Sequence, residues 1–196
     1  MKKYWQLCII ITAFTGLLIN VLVSSIEEPF NIFRGLGLFR YYTLQSNLIV
    51  LATFTLLLIG KFKFPKHYII GVAVYITVTF SVFALMLSAT YQPTGWNQVS
   101  NILSHYITPL LVIGYVIKYR LEFDVKMKDS LLWILYPVAY ILFMIIFGSI
   151  TNDYLYPFFQ LHVVGLTAFI LTLFVLVFYF LGLSFLFVKI VSFGKK

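Results

Sequence analysis

Three short stretches of this chain carry the side chains that can do chemistry. The first is Arg40-Tyr41-Tyr42-Thr43-Leu44-Gln45-Ser46-Asn47, the second is Asn101-x-x-x-His105 with Pro109 after it, and the third holds Asn152, Asp153, Gln160 and His162. A histidine beside a hydroxyl is the minimal nucleophile–base pair. The His105 imidazole can take the Thr43 proton, and the resulting alkoxide can attack an ester carbonyl. Asn47 or Asn101 can orient the imidazole or donate to the oxyanion. Arg40 can hold a carboxylate with both arms of its guanidinium. His105, His162 and Asp153 form an alternative zinc set by residue type, but histidines on different segments have no local signature. The expectation is therefore no metal and no cofactor. Each residue also has a structural reading. Thr43 can cap its helix, His105 can bond a neighbouring carbonyl, Asp153 can cap the segment that follows it, and His162 can serve as a hydrogen-bonding wall residue.

The elements that must position these groups follow from composition. The chain has 196 residues, of which 62% are apolar and only 10% charged. Soluble domains carry about 45–50% apolar and about 25% charged residues, so a soluble enzyme, a disordered tail and a nucleic-acid module are excluded. A membrane-spanning helix needs about 20 predominantly apolar residues. Six such runs are present: about residues 5–24, 43–60, 67–90, 99–117, 131–150 and 156–189. The runs are apolar all round, without the alternation of a barrel strand. The expected fold is all-α: a polytopic, six-transmembrane-helix bundle with residues 1–196 forming one domain. Phe30, Phe33, Leu36 or Gly37, and Arg40 follow helical spacing, so the segment between spans one and two is expected to lie in the interface plane or dip back into the bundle. Cys8, in an apolar run, is expected in the packed core.

Basic residues orient the bundle. Lys2, Lys3, Lys61, Lys63, Lys66, Lys118, Arg120, Lys126, Lys128, Lys189, Lys195 and Lys196 fall on one side, and only Arg34 and Arg40 on the other. A split of twelve to two places both termini in the cytoplasm. Spans two, four and six then all start at the outer face, so the three polar stretches are expected at one depth in the outer leaflet. Arg40, Thr43 and Asn47 share one helix face, as do Asn101 and His105.

These same segments, with Tyr154-Leu155-Tyr156-Pro157-Phe158, resemble the androgen-induced and androgen-dependent integral membrane proteins of animals. The resemblance is closer to a bacterial branch of six-span proteins. It covers most of the chain in span layout. It implies a hydrolase of fatty acid esters of hydroxy fatty acids, with a catalytic Thr at one span entry and a catalytic His at another. These roles fall on Thr43 and His105. Gln45-Ser46-Asn47 stands where the animal proteins carry an acidic residue.

The expected function is a Thr/His-dependent hydrolase of fatty acyl esters, located as a multi-pass protein of the bacterial cell membrane. Arg40, Asn47, Asn101, Asp153, Gln160 and His162 are the expected supporting residues. Membrane lipids, including an acyl ester substrate, are the expected partners, and nucleic acid is not. The alternative is a non-enzymatic lipid or small-solute binding, sensing or transport protein. A transporter would place polar groups at mid-membrane, whereas here they cluster at one end.

Overall fold

A computed structural model describes residues 1–26, 28–60, 62 and 64–194. Lys61, Lys63, Lys195 and Lys196, four of the residues used to orient the bundle, lie outside the described residues, as does Glu27. Among the described residues all regular structure is helical, and six helices are long and apolar enough to cross a membrane. The protein is thus an all-α, six-span integral membrane protein. The spans are Lys2–Ile26, Tyr42–Ile59, Lys66–Leu87, Gly95–Lys118, Asp129–Thr151 and Leu161–Ser192. The chain divides into two compact units, Met1–Phe123 and Asp124–Lys196.

The first unit is built on α1 (Lys2–Ile26), α3 (Tyr42–Ile59), α4 (Lys66–Val82) and a composite span of α5 (Gly95–Ile102) and α6 (Thr108–Lys118). A short α2 (Ile32–Gly37) runs into a 3-10 turn at Leu38–Arg40, so the helical spacing around Phe33 does form a helix. Asn31 starts it, its side chain accepting the Phe33 N–H at 2.9 Å. Gly35 lets α2 press onto Val21 and Ser25 of α1, where a Cβ would collide. The span Lys66–Leu87, which α4 begins, is the most enclosed of the six, and the last span is the least. Ile70, Val72, Val74 and Ile76 of α4 are fully buried, as are Ile9, Val50, Phe54, Val112 and Val116.

Polar ties join the start of α1 to the end of the composite span. Lys2 pairs with Glu122. The Trp5 indole N–H donates to the Leu111 carbonyl at 2.9 Å, and Gln6 Nε2 donates to the Tyr115 hydroxyl at 3.0 Å. The two spans therefore run antiparallel, with Lys2, Lys118 and Arg120 at one end of this unit. Cys8 is exposed on the apolar surface of α1, which corrects its expected place in the core.

The second unit comprises α7 (Asp129–Trp133), α8 (Leu135–Thr151) and α9 (Leu161–Ser192), with a 3-10 turn at Pro157–Phe159. Asn152 takes a left-handed conformation (φ 57°) and its N–H closes α8 on the Gly148 carbonyl at 2.9 Å. It therefore ends span five and does not open span six. α9 starts at Leu161, five residues later than the apolar run suggests, because Pro157–Phe159 forms its own turn and Gln160 is not helical. Gly165, with φ 78° and ψ 160°, kinks α9. The Tyr154 ring rests on Gly148, so a side chain there must push it away. Gly148→Val should cost about 1–3 kcal/mol through overpacking. Thermal unfolding of the purified protein should then show a melting point several degrees below wild type.

Candidate functional site

The site is assembled at the first turn of α3 and at an irregularity inside span four. Thr43 is the second residue of α3, after Tyr41, whose side chain makes no capping bond. The first amide groups of a helix have no partner inside it, and its N-terminus carries a partial positive charge. Thr43 thus presents its hydroxyl where developing negative charge is stabilised.

Between α5 and α6 the chain makes a π turn, Leu103–Ile107, that contains His105. The Thr108 N–H reaches back five residues to the Leu103 carbonyl. An α-helix would send that N–H to Ser104. The next possible donor for the Ser104 carbonyl is residue 109, a proline without an N–H. The carbonyl so released accepts from Asn47 Nδ2 at 3.1 Å. Asn47 is fully buried, and the same Nδ2 also donates to the Thr43 carbonyl at 2.8 Å. One amide group therefore ties the backbone of Thr43 to the residue preceding His105.

The result is a direct contact: Thr43 Oγ1 lies 3.1 Å from His105 Nε2. His105 Nδ1 lies 3.2 Å from the Asn101 carbonyl oxygen. A carbonyl only accepts, so Nδ1 carries the proton and the neutral ring offers the lone pair of Nε2 to the Thr43 hydroxyl. Asn101 orients the histidine, but through its main chain.

Aromatic rings fix the imidazole plane. Phe83 stacks on His105 at 3.9 Å between centroids, with 24° between planes. Phe83 begins a second π turn, Phe83–Leu87, that continues α4. Tyr106 meets Phe80 and Phe83 edge-on, and Tyr91 meets Phe83 likewise at 6.3 Å. Burial pushes the Tyr91 hydroxyl above its usual pKa, with the neighbouring Tyr41 adding to the shift. Below Thr43, Ser46 Oγ and Thr79 Oγ1 share a hydrogen bond of 2.7 Å that joins α3 to α4.

No family model, curated protein or solved structure matches this chain.

The geometry thus brings together Thr43, Asn47, Asn101 and His105 from the expected set. Arg40 ends the 3-10 turn just before α3, its guanidinium carbon 5.5 Å from the centre of the Tyr41 ring. Asp153, Gln160 and His162 belong to the second unit. Asp153 does not cap α9, because the helix begins eight residues after it. It is exposed, and its N–H donates to Thr151 Oγ1 at 3.2 Å. The Gln160 carbonyl accepts from the amides of Val163 and Val164, in the first turn of α9, at 2.8 and 2.9 Å. His162 is exposed, with its ring 6.0 Å from that of Tyr154. Among the described residues no three His, Cys, Asp or Glu side chains gather where they could hold a metal ion.

Phe83, Ser104 and Gly16 take part without a signal in the sequence. Phe83 is one of 21 phenylalanines. Ser104 contributes a carbonyl, which no residue type announces. Gly16 of α1 admits the π turn: a Cβ there would stand 2.7 Å from Ser104 Oγ and 3.3 Å from Leu103 Cβ. Gly16→Leu should therefore push the turn that carries His105 away from α1. The Thr43–His105 contact should then open while α-helical circular dichroism is unchanged, and the histidine ring NMR shifts of the variant against wild type would show it.

Proposed function

We propose that this membrane protein is a hydrolase of fatty acyl esters that uses Thr43 as nucleophile and His105 as general base. The observation that carries this reading is the Thr43 Oγ1–His105 Nε2 contact at 3.1 Å, with the ring oriented through Nδ1 by the Asn101 carbonyl. Such a distance lies within the reach that proton transfer requires.

In the first half-reaction His105 Nε2 takes the Thr43 proton as Oγ1 bonds to the ester carbonyl carbon. The negative charge on the carbonyl oxygen is met by the first-turn amides of α3. The C–O bond to the alcohol then breaks, the alcohol leaves with the proton from His105, and the acyl group stays on Thr43 as an ester. In the second half-reaction His105 takes a proton from water, whose oxygen attacks the acyl carbon. The acid leaves and the proton returns to Thr43. The partner of Nδ1 is a neutral carbonyl and not a carboxylate, so the imidazolium formed midway is held by orientation and dipole alone.

The apolar helices around the pair suit a substrate that arrives from the lipid phase. The charge distribution of the sequence favours an orientation with the pair toward the outer face of a bacterial cell membrane. The resemblance to the animal hydrolases of fatty acid esters of hydroxy fatty acids points to the same pair of residues and supports an ester of that class as substrate.

The test is covalent capture. Purified protein treated with a long-chain alkyl fluorophosphonate should gain one adduct, mapped to Thr43 by peptide mass spectrometry, and preincubation with an excess of fatty acyl ester should slow the labelling. An adduct elsewhere, or no adduct in a protein that hydrolyses esters, overturns the assignment.

A further inference from the structure

The second unit holds a groove unrelated to Thr43 and His105. Its volume is about 590 Å³, and Lys128, Leu131, Phe178, Leu181, Gly182 and Phe185 line it. It runs along α9 for about 10 Å, the seven-residue rise from Phe178 to Phe185. All of these residues belong to one unit.

The groove has a charged end. Lys128 directly precedes the fifth span, and Lys189 stands one helical turn beyond Phe185, near the end of the sixth. The Lys189 ammonium lies 5.2 Å from the centre of the Phe185 ring. One cation thus lines the groove and a second sits on one of its lining rings. The nearby acid Asp129 is turned back to its own loop, where Oδ2 accepts the Lys126 N–H at 2.7 Å. The Ser130 hydroxyl is likewise committed, donating to the Met127 carbonyl at 2.5 Å.

Bulk lipid tails are as apolar as leucine, so an apolar groove in a membrane does not by itself select an occupant. Selection must come from the lysines. Basic pockets at the ends of membrane helices suit lipid phosphates. We propose that this groove binds one anionic phospholipid, with an acyl chain along α9 and the phosphate at Lys128 and Lys189. The structure also supplies a way to fill the groove: a Cβ on Gly182 meets no atom within 4 Å, and its backbone is not left-handed.

The experiment places the full chain in nanodiscs of equal phosphatidylglycerol and phosphatidylcholine and counts retained lipids by native mass spectrometry. One phosphatidylglycerol should persist on wild type. Its retention should fall at least five-fold in Lys128→Gln/Lys189→Gln and in Gly182→Phe, and should survive in Gly182→Ala. Thermal unfolding identifies any variant that has lost its fold; if Gly182→Phe does, the lysine pair decides. Equal retention of the two lipids, or undiminished phosphatidylglycerol on a folded lysine-pair variant, overturns the proposal.

Discussion

Thr43→Ala should reduce ester hydrolysis by the purified protein to the uncatalysed background and remove fluorophosphonate labelling. His105→Ala should keep the hydroxyl but lose its base, and a general base is worth roughly 10²–10⁴-fold in rate. Thr43→Ser restores a hydroxyl at the same atom and should recover measurable turnover. The three together separate chemistry from folding, since a packing defect at Thr43 would not be relieved by serine, which lacks the methyl group. Initial rates on a chromogenic acyl ester in detergent micelles provide the measurement. Wild-type rates in both alanine variants would sink the hydrolase reading.

Asn47→Leu is the second large effect. Its side chain is fully buried, and its amide donates to two carbonyls, those of Thr43 and Ser104. The Thr43 carbonyl can also accept from Ser46 Oγ at 3.1 Å. The Ser104 carbonyl has no such reserve, because the π turn removes one backbone donor and Pro109 cannot supply the next. Interhelical side-chain hydrogen bonds in membranes are worth about 0.6 kcal/mol on average and about 1.7 at most, and this site belongs at the upper end. Unfolding in mixed micelles should show a loss of about 1–2 kcal/mol. Turnover should fall further than that loss explains, since the same bond sets the distance between Thr43 and His105. A variant with full turnover would show that the pair is held by other means.

Much of this was legible in the sequence. Span existence follows from apolar length, and all six runs are helices. Span ends were less legible. The apolar run carries span three to Thr90, but the helix stops at Leu87, where the second π turn ends. The apolar run starts span four at Val99, but its helix begins at Gly95, because Trp96 and the polar Asn97 and Gln98 are helical too. The apolar run starts span six at Tyr156 and so takes in the short turn that Pro157 starts. At the candidate site, Thr43 and His105 are paired by their span entries together with the family resemblance. The route by which they meet could not be read. It depends on which carbonyl a π turn releases and on which ring lies over the imidazole, and both are set by tertiary packing.

The π turn at Leu103–Ile107 has a consequence for how such a site can come and go. It holds one residue more than the α-helical path, and in an α-helix each residue advances the chain by about 100° and 1.5 Å. Deleting a single residue there would leave a span of 23 where there are now 24, about 34 Å and still longer than the roughly 30 Å hydrocarbon layer. The membrane would register almost no change. α5 and α6 would keep about the same faces, because the Thr108 N–H would then reach Leu103 as an ordinary four-residue helical bond, but the widened turn that carries the imidazole to Thr43 would be gone. The Thr43–His105 contact can therefore be made or lost by residue count, with the topology of the chain untouched.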